Sequence, residues 1–120
     1  MSLSKEQRMF TMHIGWLILY AYSQGLELTL GHAWRSPEEQ ERLYKEGKSQ
    51  IKTGGNHGKR LAVDFNLFKN GKLTWAWEDF KILGDYWELL DPKNRWGGDF
   101  NGDNIKNGFM IWKVHGILNL

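Results

Sequence analysis

The sequence has no cysteine among its 120 residues. That absence excludes disulfides and thiolate metal sites together, so any metal must sit on His, Asp or Glu. No apolar run is long enough to span a bilayer. The first residues, MSLSKEQRMF, lack the basic start, continuous apolar core and small-residue cleavage site of a secretory signal. The expectation is a chain made in the cytoplasm, with no membrane insertion, that needs release by lysis or another route to meet an extracellular target. Concentrated charge is missing too. The 16 Lys and Arg against 14 Asp and Glu leave a formal net charge of +2, and the cations are scattered, so nucleic acid is not an expected partner. Repeats, low-complexity stretches and linkers are also lacking.

What is present suits one folded unit. A chain of 120 residues can build one core but not two, so a single domain over 1–120 is expected, as a monomer. The 41% hydrophobic and 25% charged shares are ordinary for a globular protein and argue against disorder.

Periodicity organises the chain. Ser4 and Gln7 read as a capping box, and Phe10, Ile14, Leu17, Ile18 and Ala21 recur at helical spacing up to Gly25. Leu26, Leu28 and Leu30 then alternate with Glu27 and Thr29, which predicts a half-buried strand. Ser36, Pro37 and Glu39 start a second helix that runs to about Gly47. From Leu61, alternation returns with Leu61, Val63, Phe65 and Leu67 on one face and Asp64 on the other. Asn70-Gly71 predicts a hairpin whose return strand covers Lys72 to Trp75. Phe80, Leu83, Trp87 and Leu90 mark a third helix, weakened by Gly84 and stopped before Pro92. Asp91 to Gly108 reads as loop and Gly108 to Leu120 as a last strand. Such a mixture predicts an α+β domain with helices packed on a small antiparallel sheet. His13 is expected at the edge of the first helix's apolar stripe, and His32 as a structural histidine after the first strand. Trp75, Trp77 and Trp87 are expected in the core.

The chemistry centres on NHGKRLAVDF. His57 closes a polar, Gly-containing loop, and Asp64 follows inside an alternating run. An imidazole and a carboxylate from adjoining backbone are two of the three ligands a catalytic zinc needs, with the fourth position left to water. A turn histidine beside a solvated strand aspartate is the plainer reading.

Upstream stands WRSPEEQERLY, downstream stand RWGGDF and His115. In this order the segments resemble the zinc peptidases of the D-Ala-D-Ala carboxypeptidase and L-alanyl-D-glutamate endopeptidase family, particularly short bacteriophage endolysins, from about Leu26 to Phe100. The family segment S-x-H-x-x-G-x-A-x-D is filled by Gly55 through Asp64, with Gly55 for the serine and Arg60 for the internal glycine. The resemblance implies a hedgehog/DD-peptidase-like fold and one Zn²⁺ on His57, Asp64 and His115. It implies that Arg35 holds the scissile carbonyl oxygen, which suits a fixed cation at a developing negative charge; pairing with Glu38 or Glu39 is the other reading. Gln40 and Trp96 would meet substrate, although Gln40 also reads as a solvated helix residue and Trp96 as a buried tryptophan in a turn. The implied substrate is the peptidoglycan stem peptide, cut between L-Ala and D-Glu, with D-Ala-D-Ala carboxypeptidase as the close alternative.

One position breaks the pattern. Family members carry an acid three residues before the last zinc histidine, and this chain has Trp112 there. Tryptophan cannot accept a proton from water, and no acid follows Asp103. Either Asp99 or Asp103 approaches from the preceding loop, or the metal works without a base, or the chain is catalytically crippled. A non-catalytic cell-wall-binding protein that kept the fold is the rival from another class.

Overall fold

A computed structural model of the chain describes residues 2–31, 37–46, 61–97 and 109–114. Helix α1 spans Leu3–Ser23. Its cap is Ser2, not the expected Ser4: the Ser2 hydroxyl accepts from the Lys5 amide at 3.1 Å and satisfies one of the free first-turn donors. Glu6, Phe10, His13, Leu17 and Ala21 form its buried stripe. His13 therefore belongs to that stripe rather than its edge, because steps of three and four residues place it between Phe10 and Leu17. The helix ends at Ser23, and Gly25, with a φ of 77°, turns the chain into β1, Leu26–Leu30. Along β1 burial fades from Leu26 at 2% exposed to Leu30 at 69%, so only the first part of the expected apolar row is covered.

After α2, Pro37–Lys45, the next described strand is β2, Ala62–Lys69. It pairs antiparallel with β1, from Leu26 opposite Lys69 to Leu30 opposite Phe65. Asn70 and Gly71 both take positive φ, as the expected tight hairpin requires. The return strand β3 is only Lys72–Leu73. It stops early because the Thr74 hydroxyl donates to the Asp79 carboxylate at 2.8 Å and accepts from the Ala76 amide, turning the chain into α3, Trp77–Leu90.

Helix α3 buries Phe80, Leu83, Gly84 and Trp87 at helical spacing. Of the three tryptophans expected in the core, only Trp87 is there. Trp75 is 49% and Trp77 37% exposed, since one precedes the helix and the other opens it, off the inward stripe. Within the expected loop after Asp91 lies a further strand, β4, Asn94–Trp96, paired antiparallel with β5, Phe109–Lys113.

The sheet runs β1-β2-β5-β4, with β3 beside β2. All its pairings are antiparallel. Since Phe68 and Lys69 already pair with β1, β3 must use the edge of β2 that β5 occupies further along. On one face Val63, Phe65, Leu67, Phe109 and Ile111 join Phe10, Leu17, Ala21, Phe80, Leu83 and Trp87 in a single apolar cluster. The Trp87 indole N–H reaches from α3 to donate to the carbonyls of Arg95 at 3.0 Å and Trp112 at 3.2 Å, holding β4 and β5 together. This is the expected α+β arrangement of helices on a small antiparallel sheet. Among the described residues, no helix is long and apolar enough to cross a membrane.

Candidate metal centre

Alternation along β2 sends Val63, Phe65 and Leu67 into the core and leaves Asp64 half-buried on the opposite face. Cross-strand register then names its neighbours. Met110 of β5 stands directly opposite Asp64. On the other side, the Gly31 amide donates to the Asp64 carbonyl at 2.7 Å, so the chain is still bonded to β2 one residue beyond β1. A Cβ on Gly31 would come within 3.1 Å of both the Asp64 Cβ and the Asp64 carbonyl oxygen. Gly31 therefore lies in close approach to Asp64, where any larger residue would press on it.

Trp112 lies opposite Ala62 in the same β2–β5 pairing. Directly opposed residues share a face, so positions 112 and 64 project to the same side of the sheet in adjacent cross-strand rows. Arg95, opposite Trp112, continues that row. Trp112 is half-buried there. The position where the resemblance requires a proton acceptor does face the Asp64 side, and it carries an indole.

The expected ligands His57 and His115, the expected oxyanion residue Arg35, and the loop acids Asp99 and Asp103 all lie outside the described residues, as does His32. Gln40 falls on α2, and nothing further is described of its side chain. Among the described residues, no three His, Asp or Glu side chains form a metal-holding group. Asp64 is the part of the expected ligand set that the description contains.

Trp96 takes the second of its two readings, a buried tryptophan, on strand β4 and not in a turn. Its ring is 3% exposed, 5.8 Å from Phe109 and packed on Gly84, so it builds the core instead of offering a wall to substrate. Alternation explains this: Arg95 takes the open face and its neighbours turn inward.

A buried polar cluster lies on the helix side. Glu6 of α1, fully buried, pairs with Lys93 at 3.0 Å, and Lys113 of β5, 1% exposed, reaches Asp91 at 3.5 Å. His13 is 4% exposed, and its Nδ1 has no hydrogen-bond partner among the described residues. Burial lowers its pKa below the ordinary 6.5, the Lys113 charge lowers it further, and Asp91 partly opposes both. Neither this cluster nor the role of Gly31 was visible in sequence. The one available signal was a glycine directly after an alternating run.

No family model matches the chain, and no curated protein matches it. Among solved structures it is similar to the L-Ala D-Glu endopeptidase ChiX of Serratia marcescens, with a TM-score of 0.59 and 19% identity, over 74% of this chain and 68% of that one. At that identity the likeness is one of fold, and the fold is shared with a peptidase.

Proposed function

We propose that the chain is a zinc-dependent peptidoglycan peptidase acting on the L-Ala–D-Glu bond of the stem peptide, with turnover weakened by Trp112. The observation that carries this reading is Asp64, a half-buried carboxylate on the sheet face away from the core, on the same side as the position the resemblance gives to the proton acceptor. A hard oxygen donor suits a metal, and the absence of cysteine leaves His and carboxylate as its ligands. His57, Asp64 and His115 would hold Zn²⁺. When bound, the ion lowers the pKa of a water toward neutrality and polarises a carbonyl.

The chain's own residues do the rest. The sheet fixes the Asp64 backbone through pairing with β5 and the Gly31 amide, so the carboxylate needs little ordering before it binds. Arg35 would hold the substrate carbonyl oxygen as its charge develops. The shared fold with an L-Ala D-Glu endopeptidase favours that bond over the D-Ala-D-Ala alternative. Incubation of the zinc-loaded chain with purified peptidoglycan tests the reading: slow release of new amino termini at D-Glu is expected. Release of D-Ala alone would favour the carboxypeptidase.

A second reading has its own observation. Trp112 faces the Asp64 side without an acidic group, which suits a wall-binding protein that kept the fold and lost turnover. Retention on wall fragments with no new amino termini over long incubation would favour it.

A further inference from the structure

The face that carries Asp64 continues along β2 as Asn66 and Phe68, with Thr29 and Glu27 of β1 directly opposite those two. Tyr22, Glu27, Leu28, Thr29, Phe68 and Gly71 line an open groove of about 290 Å³. Four residues of strand separate Phe68 from Asp64, roughly 13 Å at a rise of about 3.3 Å each. Three of the lining residues, Glu27, Thr29 and Phe68, therefore stand on the candidate site's own face. Phe68 and Tyr22 give it aromatic walls. The Thr29 hydroxyl is already engaged, accepting from the Asn66 amide at 3.3 Å. Glu27 is the one lining residue charged at neutral pH. It is exposed, and it has no side-chain ion pair or hydrogen bond among the described residues.

We infer that this groove takes the stem-peptide residue that follows the D-glutamate, with the Glu27 carboxylate pairing with that residue's free side-chain amine. The assignment rests on the peptidase reading above. Charge sets the direction of the peptide. Glu27 repels the acidic glutamate and the lactyl-linked end of the stem offers no cation, whereas the diamino acid beyond the glutamate carries an ammonium at the end of an aliphatic stem. That stem matches aromatic walls, and its head matches a carboxylate. A γ-linked glutamate plus an extended diamino side chain covers a span comparable to the gap between Asp64 and the groove.

An exposed ion pair contributes modestly, so the expected preference is about threefold to fivefold in affinity. The test titrates the full chain with the tripeptide L-Ala-γ-D-Glu-L-Lys and with its Nε-acetylated form, following amide shifts of Thr29 and Phe68. Wild type should bind the free amine about threefold to fivefold more tightly, with the advantage shrinking in high salt, and Glu27→Gln should bind both peptides alike. Equal affinities in wild type, the same preference kept in Glu27→Gln, shifts confined to other residues, or no binding of either peptide would each overturn the assignment. Binding needs no turnover, so the two ideas fail separately. Amine-dependent binding by a chain that never releases amino termini from wall sinks the peptidase reading alone, and wall cleavage with no amine preference sinks the groove alone.

Discussion

Two residues decide what the Asp64 face can do, and they act in opposite senses. Gly31 lets the chain pass close to Asp64, and adding one methyl there would press on Asp64 at 3.1 Å, where the neighbouring atoms include backbone that yields little. Gly31→Ala should therefore lower zinc affinity by a factor of about 10 to 100, as disturbing a ligand's support commonly does. The melting temperature should fall only slightly, because residue 31 is exposed and the clash strains one cross-strand pair. Competition with a chelator of known affinity measures the first and thermal melting the second. Trp112 withholds a group. Replacing it with Glu returns a carboxylate to the face that Asp64 occupies, and a general base adds on the order of 10² to 10⁴ in rate. Trp112 is half-buried rather than core, so the variant should fold. Hydrolysis of purified wall should rise in Trp112→Glu, and no rise in a variant that melts like wild type would mean that the base comes from elsewhere. Alternation in VDFNL was enough to read the face of Asp64 from sequence. Gly31 was not legible as its neighbour, because that fact depends on register between strands more than thirty positions apart. The assignments of Arg35, His57 and His115 as a set came from resemblance and not from periodicity.

Elements with a long, clean period were legible. The first helix, the strand from Leu26, the strand through Asp64 and the Asn70-Gly71 turn stand where their patterns put them. β4 was not legible, because three residues, Asn94–Trp96, are too few to show alternation and contain no β-branched residue. Its existence explains a glycine that looked like a defect. Gly84 sits mid-helix, where Ala is intrinsically favoured by about 1 kcal/mol, yet a Cβ there would come within 2.2 Å of the Trp96 ring. The ring is buried between α3 and Phe109 and cannot swing aside. Overpacking of this kind costs about 1 to 3 kcal/mol or more, so it outweighs the propensity gain. Gly84→Ala should lower stability in urea unfolding, by up to about 2 kcal/mol net. A stabilised variant would show that β4 does not pack on α3 as described.

At the scale of the whole molecule, the helix layer carries its own polar cluster, in which the Glu6–Lys93 pair ties α1 to the turn before β4 and Lys113–Asp91 ties that turn to β5. His13 lies buried among these groups with its folded pKa below 6.5, chiefly through burial and then through Lys113. The fold therefore prefers its neutral form. Between 6.5 and the lowered value the unfolded chain binds more protons, so His13's contribution is fully present above pH 6.5 and is lost as pH falls toward the folded pKa. Melting temperature should drop between pH 7.5 and 5.5, and His13→Phe should flatten that part of the profile; an equal slope in both proteins would place the titrating group elsewhere. This cluster stabilises the layer beneath the sheet, while the opposite face carries Asp64. The proposed activity requires that face to hold a metal. The most direct test is the zinc content of chain purified without chelator and then equilibrated with Zn²⁺, measured by elemental analysis beside Asp64→Ala. About one zinc per wild-type chain is expected, on three protein ligands and a water, with loss in a variant whose melting temperature is unchanged. A folded wild type that takes up no zinc, or an Asp64→Ala chain that binds it equally well, would contradict the account.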